Sequence, residues 1–121
     1  MRVPNPEVGA AAVARVLGLK AYDADVVLEI SGGLNRPGYE KGTEIAALFA
    51  HAKSIAAGIG FELQDIATGG GSDGNFTAAI APTLDGLGID GKGAHTHEEQ
   101  IFVSSILPRT KLLLGLFETL A

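Results

Sequence analysis

Histidine and carboxylate side chains follow one another near the C-terminal end of the sequence, in the order His95-Thr96-His97-Glu98-Glu99. In an extended segment alternate side chains lie on the same side, so His95 and His97 are spaced to bind one metal ion. Because the chain has no cysteine, a zinc ion would depend on histidine and carboxylate ligands. The same spacing is equally typical of a solvated turn. A catalytic zinc takes about three protein ligands, and the rest of the sequence offers no convincing set.

A glycine-rich loop at residues 68–75 is the second candidate. From Gly69 onward its glycines have the G-x-G-x-x-G spacing of dinucleotide-binding loops. The helix predicted after it is short and stops at Pro82, which argues against a complete nucleotide-binding unit. Two other interpretations remain open. The loop is either a tight turn that requires glycine, or an anion pocket in which backbone N–H groups beside Ser72 bind a carboxylate.

The third candidate is Arg36, which precedes Pro37 in a segment rich in glycine and proline. A planar guanidinium group matches the geometry of a substrate carboxylate. A lone arginine in a loop is also commonly just solvated, and spacing does not decide between the two.

The composition favours a globular protein and excludes several functional classes. Hydrophobic residues make up 46% and charged residues 19% of the 121 residues, and the net charge of −5 gives no electrostatic basis for binding nucleic acid. No signal-peptide core follows Met1, and the most apolar run, Leu112 to Phe117, is too short to span a membrane. We therefore expect a soluble, cytoplasmic protein.

The elements that would position these candidates alternate between helices and strands. Asn5 and Pro6 predict a helix start, and Thr43 is the predicted N-cap of a second helix. The predicted helices are 5–20, 43–58, 76–81 and one from Ser104 or Ser105 to the end; the predicted strands are 26–30, 61–66 and 83–88. This order predicts an α/β fold with parallel strands.

Several of these motifs together resemble the C-terminal part of the dizinc metallopeptidase superfamily, which includes glutamate carboxypeptidase, succinyl-diaminopimelate desuccinylase and the aminoacylases. The likeness is closest to glutamate carboxypeptidase and covers essentially the whole chain. The motifs that carry it are Thr68-Gly-Gly-Gly-Ser-Asp-Gly74, Gly86-Leu-Gly88, Gly93-Ala-His95-Thr96 with Glu99, and Ile106-Leu-Pro-Arg109. The resemblance implies that residues 1–34 are the last helix and strand of an α+β lid, or dimerisation, domain. Residues 35–121 would be the C-terminal strand–helix layer of the catalytic domain.

The resemblance also implies roles for single residues. His95 matches the family's last zinc ligand, whereas His97 matches no ligand. Arg36 matches a lid arginine that clamps the substrate carboxylate. The loop that lines the carboxylate pocket is matched by Gly70, Gly71 and Ser72, and Asp73 is expected to hold that loop in shape.

Most of the family's catalytic residues have no counterpart in this sequence. The His-x-Asp motif is absent, and the only Glu-Glu pair, at Glu98, follows the histidine instead of preceding it. We therefore expect part of a zinc-dependent hydrolase that cleaves amide bonds of acyl or peptidyl amino acids and is inactive alone. It would need a missing N-terminal half or a companion chain, two zinc ions, and a substrate with a free carboxylate. The alternative is a non-catalytic dimerisation or assembly module.

Overall fold

The computed structural model describes residues 1–120, and these contain four helices and one short hairpin. The elements are, in chain order, α1 Pro6–Leu17, α2 Thr43–Ile59, α3 Gly74–Thr77, β1 Gly91–Lys92, β2 Gln100–Ile101 and α4 Val103–Thr119. The α/β class expected from the sequence is confirmed in a helix-rich form. None of the helices in residues 1–120 is both long and apolar enough to cross a membrane.

Local sequence signals explain the ends of the helices. The Asn5 side chain accepts a hydrogen bond from the Val8 N–H at 3.0 Å, and Pro6 occupies the first turn of α1. The N-cap of α2 is Gly42, so the prediction of Thr43 as its cap is wrong: Thr43 already has helical geometry. Gly60 ends α2 with a φ of 102°, a left-handed conformation that glycine adopts without steric cost.

The strand predictions at 26–30, 61–66 and 83–88 are wrong. The only paired strands among the described residues are β1 and β2, which are antiparallel with Gly91 opposite Ile101 and Lys92 opposite Gln100. The parallel sheet is therefore not observed. β-branched content reports how well a residue fits a sheet, but a strand also requires a neighbouring strand to share its hydrogen bonds.

The chain divides into two compact units. Unit 1 comprises Met1–Lys41 and Gly69–Ala81, and unit 2 comprises Gly42–Thr68 and Pro82–Ala121. Assignment of residues 1–34 to a lid domain and 35–121 to a catalytic domain concerns the organisation of a larger enzyme, and stays a prediction.

Unit 2 contains the apolar core, which lies where α2 packs on α4. Gly115 explains how closely the two helices approach, because a Cβ at this position would lie 2.9 Å from Ile55 Cγ2. The His51 Nε2 and the Thr119 hydroxyl form a hydrogen bond of 2.7 Å between the same helices. The buried core residues are Ala52, Ala56, Leu63, Leu112 and Leu116.

Candidate functional site

Unit 1 brings Arg36 against the glycine-rich loop. The Arg36 Nη1 donates to the carbonyl oxygen of Ser72 at 2.7 Å and to Asp73 Oδ1 at 3.0 Å, across 36 and 37 residues of sequence. The guanidinium carbon also lies 5.1 Å from the centre of the Phe76 ring, within range of a cation–π contact. The residues that the sequence nominated separately for binding a carboxylate are therefore neighbours.

The guanidinium group of Arg36 remains accessible in this arrangement. Its side chain is 39% exposed, and both hydrogen bonds to the loop start from Nη1. They do not use the edge formed by Nε and Nη2, which has the fork geometry that binds a carboxylate through two hydrogen bonds. Asp73 is 95% exposed, so its ion pair with Arg36 adds little to stability and serves to orient the guanidinium.

Arginine side chains approach the glycine-rich loop closely. A Cβ on Gly71 would lie 3.0 Å from Arg36 Cδ, and one on Gly69 would lie 2.8 Å from an Arg2 guanidinium nitrogen. The loop backbone is thus open to close approach at these positions.

Ser72 takes part in the loop through three of its polar groups. Its N–H donates to Asn75 Oδ1 at 2.8 Å, its hydroxyl oxygen accepts from the Gly74 N–H at 2.9 Å, and its carbonyl accepts from Arg36. The Ser72 N–H is therefore already used within the loop. Three loop residues were predicted to bind a carboxylate. Of these, Gly70 and Gly71 have N–H groups that donate no hydrogen bond within the described loop.

The nucleotide-binding alternative lacks its structural context. The helix that follows the glycine-rich loop, α3, has four residues, and residues 61–66 before the loop form no paired strand. A dinucleotide-binding loop joins a strand to a full helix whose N-terminus faces the phosphates, and neither element is present here.

His95 lies in unit 2, in the loop 93–99 that joins β1 to β2. Its φ is 64°, the only positive φ of a non-glycine residue in the described chain. Thr96 fixes the loop: its hydroxyl donates to the Gly93 carbonyl oxygen at 2.7 Å and accepts from the Glu98 N–H at 3.2 Å. Strained backbone of this kind costs about 1–3 kcal/mol and is concentrated at functional sites.

The base of the hairpin is anchored to α4. The Asp90 N–H donates to Ser105 Oγ at 2.9 Å, the Phe102 N–H donates to the Asp90 carbonyl oxygen at 2.8 Å, and Arg109 forms an ion pair with the Asp90 carboxylate. The Arg109 guanidinium also lies 5.4 Å from the centre of the Phe61 ring. The sequence marked Arg109 only as part of a motif, and these contacts give it a structural role.

The donor set of this chain does not fit a complete zinc site. Residues 1–120 contain no group of three or more histidine, aspartate or glutamate side chains placed to hold a metal, whereas a catalytic zinc takes about three. His95 can contribute one imidazole. The proximity of His97, Glu98 and Glu99 in sequence does not produce a joint site with it in the described structure.

Sequence reasoning missed Asn75 and Phe76, which support Arg36 and the loop from α3. Asn75 Nδ2 donates to the Pro37 carbonyl oxygen at 2.7 Å, so it joins the segment that follows Arg36 to the glycine-rich loop. The signal that was available is local: a polar side chain three residues after a serine can reach back to accept from the serine N–H, as in a capping box.

Comparison with known proteins assigns the chain to a family. The model of "Peptidase family M20/M25/M40" matches residues 25–119, which include Arg36, the glycine-rich loop and His95. Searches of curated proteins and of solved structures gave no match. The helix-rich structure with its small antiparallel sheet is consistent with an α/β portion of a domain of this family of metallopeptidases. The chain belongs to peptidase family M20/M25/M40.

Proposed function

We propose that this chain provides the carboxylate-binding part of a zinc-dependent hydrolase that cleaves amide bonds of acyl or peptidyl amino acids. The observation that carries the proposal is the contact between Arg36 and the glycine-rich loop, with Arg36 Nη1 2.7 Å from the Ser72 carbonyl oxygen. The match to a peptidase family over residues 25–119 supports the hydrolase class. Glutamate carboxypeptidase is the member of the superfamily that we propose as the nearest in kind.

In this proposal Arg36 binds the free carboxylate of the substrate through the Nε and Nη2 edge of its guanidinium. Charge-assisted hydrogen bonds of this kind are about twice as strong as neutral ones. Backbone N–H groups of Gly70 and Gly71 would complete the pocket, since two or more amides that converge in a loop make an anion site. Ser72 contributes mainly by holding the loop and Arg36 in place.

His95 would supply one ligand to zinc in the assembled enzyme. A zinc ion held in part by His95 would supply Lewis-acid chemistry for amide hydrolysis. Because the described residues contain no group of three or more side chains placed to hold a metal, we propose that a missing N-terminal half or a companion chain supplies the other ligands and the general base. The chain alone would then be inactive, in a cytoplasmic enzyme.

The proposal predicts that the chain discriminates a carboxylate from an amide. We expect the purified chain to bind N-acetylglycine about tenfold more tightly than N-acetylglycinamide, because hydrogen bonds to charged groups contribute about 1.5–3 kcal/mol. Titration of ¹⁵N-labelled protein measures both affinities. Arg36→Ala should remove the difference, and Arg36→Lys should retain part of it because lysine keeps the charge without the fork.

Arg15→Ala is the matched control. Arg15 lies in the last turn of α1 and is exposed, so its removal changes the net charge as Arg36→Ala does without touching the loop. Equal binding of the acid and the amide by the wild-type chain would refute the proposed carboxylate pocket. An equal loss in Arg15→Ala and Arg36→Ala would reduce the effect to net charge.

Assembly through a homodimer is the second candidate function. The segment 26–30 has no strand partner among the described residues, and Val27 within it is 87% exposed. An unpaired extended segment with exposed apolar side chains favours pairing with another chain. Sedimentation of the purified chain tests this, and a monomer across the accessible concentration range would exclude a self-assembly module.

A further inference from the structure

Asn75 joins the two segments that form the proposed carboxylate pocket. Its Nδ2 donates to the Pro37 carbonyl oxygen at 2.7 Å, and its Oδ1 accepts from the Ser72 N–H at 2.8 Å. Both partners are backbone groups and both contacts are partly buried. The amide orientation is fixed by chemistry, because only Nδ2 can donate to a carbonyl and only Oδ1 can accept from an N–H.

These two hydrogen bonds hold two neighbours of Arg36, one adjacent to it in sequence and one in contact with it in space. Pro37 directly follows Arg36 in the chain, and Ser72 carries the carbonyl oxygen to which Arg36 Nη1 donates. Asn75 therefore fixes the position of the arginine backbone and of the acceptor that orients its guanidinium. Release of either bond would change the distance between the Arg36 fork and the loop amides.

We propose that Asn75 is a positioning residue for Arg36, which acts on the substrate carboxylate only through that arginine. The inference rests on the proposed function, because it assigns Asn75 a role in the same pocket. In this role each end of the Asn75 amide bonds to backbone, at Pro37 and at Ser72.

The short helix α3 explains why one residue can make both contacts. Asp73 initiates this turn with a φ of −70° and a ψ of −20°, which brings Asn75 back toward the Ser72 N–H. The next residue, Phe76, places its ring 5.1 Å from the Arg36 guanidinium. Consecutive residues of one turn thus support Arg36, one through the backbone and the other through an aromatic face.

Two substitutions separate the contributions of the amide. Asn75→Ala removes both hydrogen bonds. Asn75→Asp keeps an oxygen for the Ser72 N–H but places a carboxylate oxygen against the Pro37 carbonyl, so the link to the Arg36 segment is lost. Asn35→Ala is the matched control, since Asn35 is an exposed asparagine directly before Arg36.

The experiment is a double-mutant cycle in the purified chain, with N-acetylglycine and N-acetylglycinamide as probes. Asn75→Asp should weaken binding of the acid about fivefold, the effect of one net hydrogen bond, and Asn75→Ala at least as much, because it loses both. Binding of the amide should not change, and Asn35→Ala should bind as wild type does. In the Arg36→Ala background, Asn75→Ala should cause no further loss, because a residue that acts through Arg36 has nothing left to position.

A second readout needs no ligand. The ¹⁵Nε–¹H resonance of Arg36 should be distinct in the wild type and move toward the exposed-arginine position in Asn75→Ala, while circular dichroism reports whether the variant is folded. An additive loss in the cycle, or an unchanged Arg36 resonance in a folded Asn75→Ala variant, would overturn the inference and leave the carboxylate pocket standing. If the wild type does not distinguish acid from amide, the proposed function fails, and the resonance alone then decides whether Asn75 positions Arg36.

Discussion

Unit 1 and unit 2 hold their candidate functional residues by different physical means. In unit 1, hydrogen bonds between segments distant in sequence fix Arg36 against the glycine-rich loop, and Gly9 is the only buried residue of the described part of that unit. In unit 2, His95 lies in a local hairpin loop, and the unit also contains the apolar core of α2 and α4. Polar contacts specify a geometry but contribute little net stability each, whereas apolar burial contributes most of the stability.

This difference matters for what each region can do within one chain. The proposed carboxylate pocket has its arginine, its loop and the residues that contact them in unit 1. The metal candidate in unit 2 is a single imidazole, without two further ligands beside it in residues 1–120. Recognition of a substrate carboxylate is therefore testable on this chain alone, whereas the proposed zinc binding by His95 requires the other ligands of an assembled enzyme.

The largest effect that the comparison predicts is on the core of unit 2. Leu112 lies on α4 and is fully buried, so we expect Leu112→Ala to lower the free energy of unfolding by about 2–5 kcal/mol. Urea denaturation followed by circular dichroism measures this. The control is Leu114→Ala on the same helix, because Leu114 is 54% exposed and should change stability by about 0.5 kcal/mol or less. Similar losses at both positions would contradict the packing of α4.

The next effect concerns zinc. In a zinc-loaded enzyme that contains this chain, His95→Ala should lower the metal content by one ion, because the site loses a ligand. His97→Ala provides the matched control, since it removes the same side chain two positions further along the same loop. Metal analysis after gel filtration measures both.

Two outcomes would sharpen or reverse that assignment. Equal zinc loss in both variants would mean that the loop binds metal through both histidines, as the His-x-His spacing first indicated. Stoichiometric zinc with amide hydrolysis by the isolated chain would contradict the proposal that other ligands are needed.

The sequence predicted the helices more reliably than the strands or the loops. The side chain of Asn5 and the ring of Pro6 act within the first turn of α1, so capping chemistry located its start. Residues 26–30 have strand propensity but no partner strand within residues 1–120, and propensity carries no information about partners. Gly42 caps α2 in place of Thr43, in an extended conformation and without a side-chain hydrogen bond, and glycine is among the residues common at N-caps.

The residues of the candidate sites also differ in whether the sequence predicted them. The sequence nominated Arg36 and Gly70-Gly71-Ser72 through a family resemblance, and the structure places them together. It did not reveal Asn75, because a contact with Pro37 across 38 residues leaves no periodic signal. The positive φ of His95 was equally hidden: it arises within a loop where Gly93 approaches the Glu98 carbonyl oxygen so closely that a Cβ would lie 2.8 Å from it.

The smallest predicted effect tests whether the side chain at position 95 lowers the stability of the fold. At a φ of 64° a Cβ is strained, so His95→Gly should be about 1 kcal/mol more stable than His95→Ala. The same pair at His97 should show the opposite sign, because glycine only adds entropy to the unfolded chain where φ is negative. Urea titration of the four variants measures both differences. A more stable glycine at position 95 would mean that a side chain is retained there at a cost to folding, which is the pattern expected of a metal ligand. A less stable glycine would remove the strain argument and leave His95 supported by the family resemblance alone.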